Sequence, residues 1–193
     1  MSEHGNEKGR VVVISGPSGV GKSTICREAL KRLDNAVLSV SVTTRPRAKG
    51  EIEGKDYCFI SRDEFEMRMK KGLMLETAVV FGNLYGTPKD MVDEHYNAGR
   101  TIVLEIDVQG GRQVKKIYPH AVMIFIMPPA EKDLADRLGA RGRDDSESAR
   151  KRLAKARAEI AEAELLYDTK VVNDDLEKAI DEVVRIIELA RNN

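Results

Sequence analysis

The stretch VVVISGPSGVGKST, residues 11–24, constrains this chain more than any other. Four β-branched residues and a serine run into a loop carrying three glycines, and the loop opens into a lysine, two hydroxyls and a helical pattern. A near-continuous β-branched run suits a strand covered on both faces of a parallel sheet. The bare loop lets successive backbone N–H groups turn inward around an anion, and a helix starting there adds the positive end of its dipole. Gly16-Pro17-Ser18-Gly19-Val20-Gly21-Lys22-Ser23 fits G-x-x-x-x-G-K-[ST], with Thr24 next. In that pattern the lysine reaches the β- and γ-phosphates of a nucleotide and the hydroxyl of Ser23 binds Mg²⁺. A glycine turn that merely joins strand to helix is the plain alternative. The strand before the loop and the helix after it favour the phosphate site.

Four more apolar segments read as buried strands: 36–41, 101–107, 121–127 and 170–172. Helical periodicity lies between them. Ile25, Ala29 and Leu33 share one face, as do Leu176, Ile180, Val183 and Ile187, while Thr87, Pro88 and Gly99 read as N-cap, first helical residue and stop. Strands alternating with helices predict a doubly wound α/β fold.

Two segments break the alternation. Residues 40–90 read as an inserted β-rich subdomain, with a hairpin folded at Gly82-Asn83 and a short helix started by a capping box from Ser61 to Glu64. Residues 132–156 are rich in arginine and poor in core residues, the composition of a mobile lid. The core domain is then 10–39, 91–131 and 157–193. The polar start, residues 1–9, reads as a flexible tail without the apolar centre of a signal peptide, so the chain is expected in the cytoplasm. No run approaches the ~20 apolar residues of a membrane span. The 32 basic and 32 acidic side chains cancel, which argues against nucleic acid or an anionic membrane as partner. Cys26 and Cys58 lack the spacing of a zinc site or a disulfide framework and read as idle thiols. Nothing in the chain sets an oligomeric state.

The inserted region carries the polar residues that a phosphate acceptor needs. Arg45, Arg47, Tyr57 and Tyr85 form a donor set suited to a phosphate monoester. Ser41, Glu51, Glu76, Thr87, Glu105 and Asp107 suit something else. Guanine shows donors at N1 and N2 and an acceptor at O6, so a carboxylate such as Glu76 takes both donors while a hydroxyl gives to O6. Adenine reverses that edge and leaves the same groups unpaired. Taken singly, tyrosines in strands are ordinary half-buried aromatics, and Glu51 is equally suited to pairing with an arginine and positioning it.

The segments ISGPSGVGKST, TTRPRAKGE, GKDYCF, FGNLYGT, LEIDVQGG, RLGARG and VVNDD, in that order, resemble the guanylate kinase family from about Arg10 to about Ile187. The resemblance implies a P-loop nucleoside monophosphate kinase: a five-stranded parallel sheet with helices on both faces, an inserted GMP-binding subdomain and a lid. ATP with Mg²⁺ would be the donor, and GMP or dGMP the acceptor. By the same resemblance Arg45, Tyr57 and Tyr85 hold the GMP phosphate, and Ser41, Glu76, Thr87 and Glu105 surround the guanine. Asp107 lies near the phosphates and metal, Arg137, Arg141 and Arg152 reach the transferring phosphoryl group, and Asn173 contacts the adenine side. In one place the chain departs from the family. The usual run is R-x-P-R-x-G-E, whereas here Arg45-Pro46-Arg47-Ala48-Lys49-Gly50-Glu51 brings the proline and second arginine one position early. Either Arg47 still reaches the GMP phosphate or Lys49 stands in for it. Two rivals remain: a P-loop kinase for another acceptor, such as a ribose phosphate, and a noncatalytic scaffold module of the same fold. Such modules commonly lose the nucleotide loop, which is intact here at Lys22 and Ser23.

Overall fold

A computed structural model describes residues 8–130 and 146–191. The large sheet is wholly parallel, in the order β2 (Ala36–Leu38), β7 (Thr101–Glu105), β1 (Arg10–Ser15), β8 (Val122–Met127), β9 (Thr169–Val172). The expected α/β fold with five parallel strands is therefore the observed one. β1 lies at the centre, and its alternate residues enter different cores, which is why the run had to be apolar on both sides. Val12 and Ile14 pack with Ile25 and Ala29 of α1 (Lys22–Arg32) and with Ile180, Val183 and Ile187 of α6 (Leu176–Arg191). Val11 and Val13 face the other layer, with Val92 of α3 (Lys89–Asn97), Val114 of α4 (Val108–Ile117) and Ala163 of α5 (Ser146–Leu166). Cys26 is a free thiol buried in the first of these cores.

The second, smaller sheet has the order β4 (Cys58–Phe59), β3 (Val42–Thr43), β6 (Asn83–Pro88), β5 (Met74–Val80), with α2 (Arg62–Lys70) against it through Phe65. Ser61 Oγ accepts from the Glu64 N–H, which is half of the expected capping box; the Glu64 carboxylate instead takes Arg68 at 2.5 Å.

Several boundaries differ from the sequence expectation, each for a local physical reason. The strand expected over 36–41 leaves the large sheet after Leu38, and the chain re-enters the small sheet at Val42. The hairpin turns at Phe81-Gly82 rather than Gly82-Asn83, because Val80 pairs with Asn83. Both turn residues have positive φ, 47° and 81°, the combination a tight two-residue hairpin demands. Thr87 is not a helix cap: it is a β6 residue paired with Glu76, and Pro88 is the extended residue before α3. Leu176 is 40% exposed, since it is the first residue of α6, whereas Ile180, Val183 and Ile187 are buried. Of the expected lid, residues 132–145 lie outside the described residues; 146–156 form the first half of α5. Residues 1–7 of the expected tail also lie outside them, and Gly9 N–H already donates to the Tyr96 carbonyl.

Candidate functional site

β1 delivers the chain at Ser15 to the edge of a cleft of about 720 Å³ that separates the two sheets. On one wall lies the glycine loop. Gly21 precedes α1 with φ 101°, and α1 has no side-chain cap and no acidic residue in its first turn. By contrast α2 is capped by Ser61 and α4 by Asp107. The N–H groups at the start of α1 are thus left for an external anion. Lys22 folds back over the loop, its Nζ donating to the carbonyls of Gly16 (2.6 Å) and Pro17 (3.0 Å), and burial lowers its pKa. A phosphate would offer that ammonium a better acceptor than two neutral carbonyls.

Two acidic residues at the end of β7 face the loop. Ser23 Oγ donates to Glu105 Oε1 at 2.6 Å, so the expected metal-binding hydroxyl and a carboxylate stand together. Asp107 accepts from Gly110 N–H at 3.1 Å and lies 3.6 Å from Lys155 Nζ. Thr24 and Ser18 also line the cleft. Asn173 does not: its amide is buried behind the loop and donates to the Val20 carbonyl at 2.8 Å, and a Cβ on Gly21 would stand 2.7 Å from it. In this structure Asn173 supports the loop from below.

The opposite wall comes from the small sheet. Arg45 follows β3, Tyr57 precedes β4, and Tyr85 in β6 pairs with Thr43, so strand pairing brings the three together. Arg45 Nε donates to Tyr85 Oη at 3.1 Å, its guanidinium lies 5.5 Å from the Tyr57 ring centre, and the two tyrosine rings meet edge to face at 5.8 Å. Glu51 holds Arg45 from behind at 2.7 Å and accepts from Ala48 N–H with its other oxygen. Burial pushes the Tyr57 hydroxyl up to about 12, keeping it a neutral donor. Arg47 and Lys49 are exposed and lie off the cleft wall, because the chain turns tightly from Ala48 to Glu51.

Glu76 is the most unusual group in the cleft. Its side chain is 3% exposed and its Oε1 accepts from Thr87 Oγ1 at 2.7 Å. Burial lifts its pKa from the ordinary 4.5 to about 7; the Thr87 hydrogen bond opposes that rise and the charge of Asp107 adds to it. Ser41, also buried, completes this end of the cleft.

The structure therefore brings Ser41, Arg45, Glu51, Tyr57, Glu76, Tyr85, Glu105 and Asp107 into one cleft with Lys22 and Ser23, while Thr87 is fully buried and meets the cleft only through its hydrogen bond to Glu76. Arg137 and Arg141 lie outside the described residues, and so does the side chain of Arg152, which is on α5. Sequence reasoning missed Lys155 and Glu159. They reach the cleft from α5, 3.4 Å apart, with Lys155 also 5.4 Å from the Phe81 ring centre. Their i, i+4 spacing resembles any solvated helix pair, and no local signal sets them apart. It also missed the ion pair of Arg27 with Asp56, which ties α1 to the small sheet across the cleft mouth.

An α/β core that ends in an uncapped anion loop, facing a smaller sheet that presents a buried carboxylate and an arginine–tyrosine cluster, defines a protein of the nucleoside monophosphate kinase class. The guanylate kinase family model matches residues 8–190. A guanylate kinase from Carboxydothermus hydrogenoformans is 47% identical over 180 residues, covering 93% of this chain and 88% of the relative. One from Gloeobacter violaceus is 48% identical over 186 residues, covering 96% and 90%. The crystal structure of guanylate kinase from Anaplasma phagocytophilum superposes with a TM-score of 0.83 at 36% identity, covering 97% of this chain and 89% of that one. The chain belongs to the guanylate kinase family. Among the described residues no helix is long and apolar enough to cross a membrane.

Proposed function

We propose that this protein transfers the γ-phosphoryl group of ATP to GMP and dGMP with Mg²⁺. The observation that carries the reading is one cleft with an uncapped glycine loop on one wall and a buried carboxylate beside an arginine–tyrosine cluster on the other. Glu76 accepts from guanine N1 and N2, with Thr87 and Ser41 as the hydroxyls near O6, and Arg45, Tyr57 and Tyr85 grip the acceptor phosphate. The acceptor phosphate is already an anion and needs no strong base, so catalysis is alignment and charge neutralisation. Lys22 gives up its loop carbonyls for the β- and γ-phosphates. Arg137, Arg141 and Arg152, assigned by family likeness, neutralise the transferring group.

The donor set fits Mg²⁺. Among the described residues no three His, Cys, Asp or Glu side chains gather as a metal cage, whereas Ser23, Glu105 and Asp107 supply hard oxygens beside the loop. Mg²⁺ is commonly held by one or two carboxylates plus substrate phosphates, where it would neutralise charge on the β- and γ-oxygens. The test is a coupled ADP-release assay over GMP, dGMP, AMP, UMP and CMP. Turnover of GMP and dGMP should exceed that of AMP by roughly a hundredfold or more, since adenine leaves Glu76 unpaired. Equal turnover of AMP overturns the reading.

A further inference from the structure

Helix α4 carries two consecutive buried glycines, Gly110 and Gly111, within its first turn. Both have ordinary helical backbone, so conformation does not require glycine there, and alanine is the better helix former. Contact across the helix gives the reason. A Cβ on Gly110 would stand 2.4 Å from Glu76 Oε2 and 2.9 Å from its Cδ; one on Gly111 would stand 2.2 Å from Tyr167 Oη. The Gly110 N–H meanwhile donates to Asp107 Oδ1. Glu76 stands on β5 with its other oxygen held by Thr87, so the open direction for its carboxylate is toward the cleft where the base would lie.

We propose that Gly110 is a specificity-determining positioning residue for the acceptor base: the missing side chain leaves the space in which the Glu76 carboxylate stands. The proposal rests on Glu76 reading guanine. Any side chain at 110 pushes that carboxylate about 1 Å, the distance from 2.4 Å to ordinary contact near 3.4 Å, and so off the line of its hydrogen bonds, whose strength falls steeply with angle. The glycine loop and Lys22 stand on a different element and do not move with it.

The experiment compares Gly110→Ala, Glu76→Gln and the double variant. Gly110→Ala should raise KM for GMP roughly tenfold to a hundredfold, with KM for ATP within about twofold of wild type and kcat at saturating GMP within about threefold, since the loss is in ground-state binding of the base. The double variant should be no worse than Glu76→Gln alone, because both act through one carboxylate. A wild-type KM for GMP in Gly110→Ala, an equal loss for ATP, or multiplicative effects in the double variant overturns the proposal. If Gly110→Ala does not fold, Gly110→Ala in a Glu76→Ala background decides: recovery of folding supports the clash, and continued failure refutes it. Glu76→Gln tests the parent reading by itself. If it leaves KM for GMP unchanged, guanine readout fails and the proposal with it; if it raises KM while Gly110→Ala does not, only the proposal fails.

Discussion

Replacing Glu76 by glutamine should weaken GMP and at the same time stabilise the empty protein, in a pH-dependent way. Burial holds the Glu76 pKa at about 7 against an ordinary 4.5. The folded pKa lies above the unfolded one, so the native state binds the extra proton and ionisation costs stability. The cost is absent below pH ~4.5, grows between pH ~4.5 and 7, and is constant above. A rise from 4.5 to about 7 corresponds to about 3 kcal/mol at its full extent. Glutamine keeps the Thr87 hydrogen bond through its amide oxygen and cannot ionise. For a domain of this size about 3 kcal/mol is roughly 6–12 °C in Tm, so without nucleotide Glu76→Gln should melt several degrees higher than wild type at pH 8 and within about 3 °C of it at pH 5. For GMP the sign reverses. An amide cannot accept from both N1 and N2, and losing a charge-assisted pair costs ~1.5–3 kcal/mol, or roughly tenfold to a hundredfold in kcat/KM. In wild type the ionised fraction of Glu76 falls about tenfold from pH 8 to pH 6, and apparent GMP affinity should fall with it. The GMP phosphate also titrates near 6, so the decisive quantity is the ratio of wild type to Glu76→Gln across that range. Thermal melts at pH 5 and 8, with GMP saturation at pH 6, 7 and 8, check both halves. Equal melting of the two proteins at pH 8, or a wild-type to variant ratio that is flat with pH, refutes the reasoning.

Three further outcomes follow from the same geometry. Lys22→Met should abolish phosphoryl transfer while leaving the fold intact, because the Lys22 ammonium donates to loop carbonyls rather than packing in a core; a folded variant with more than about a tenth of wild-type activity contradicts its catalytic role. Arg45→Ala should raise KM for GMP roughly tenfold or more, whereas Arg47→Ala and Lys49→Ala, both exposed and off the cleft, should each change it less than about threefold. GMP saturation at fixed MgATP separates the three, and a large effect at Arg47 would mean that the turn after Pro46 rearranges around the acceptor. Asn173→Ala strips the Val20 carbonyl of its buried donor and should lower stability by ~1–3 kcal/mol and raise KM for ATP more than KM for GMP, as read by melts and kinetics.

Local pattern by itself determined much of this protein. The glycine loop between a β-branched strand and a helix, the five-stranded parallel sheet and the β-rich insertion were all legible, because strand burial, helix periodicity and turn residues are properties of neighbouring positions. The family likeness added the cluster of arginine, tyrosines and Glu76, since its motifs keep their order along the chain. Tertiary structure alone decided the rest. Thr87 reads as a helix cap until β5 pairs with β6 and gives its hydroxyl to Glu76. Arg47 reads as a phosphate ligand until the Ala48–Glu51 turn leaves it in solvent. Asn173 reads as a nucleotide contact until β9 docks it under the loop. Lys155 and Glu159 look like a surface pair until α5 crosses the cleft, and Gly110 looks like a weak point in a helix until Glu76 is found against it. Arg47 apart, whose turn is local, the deciding partner lies on another element, so the energy that settles the side chain's role exists only once those elements have packed.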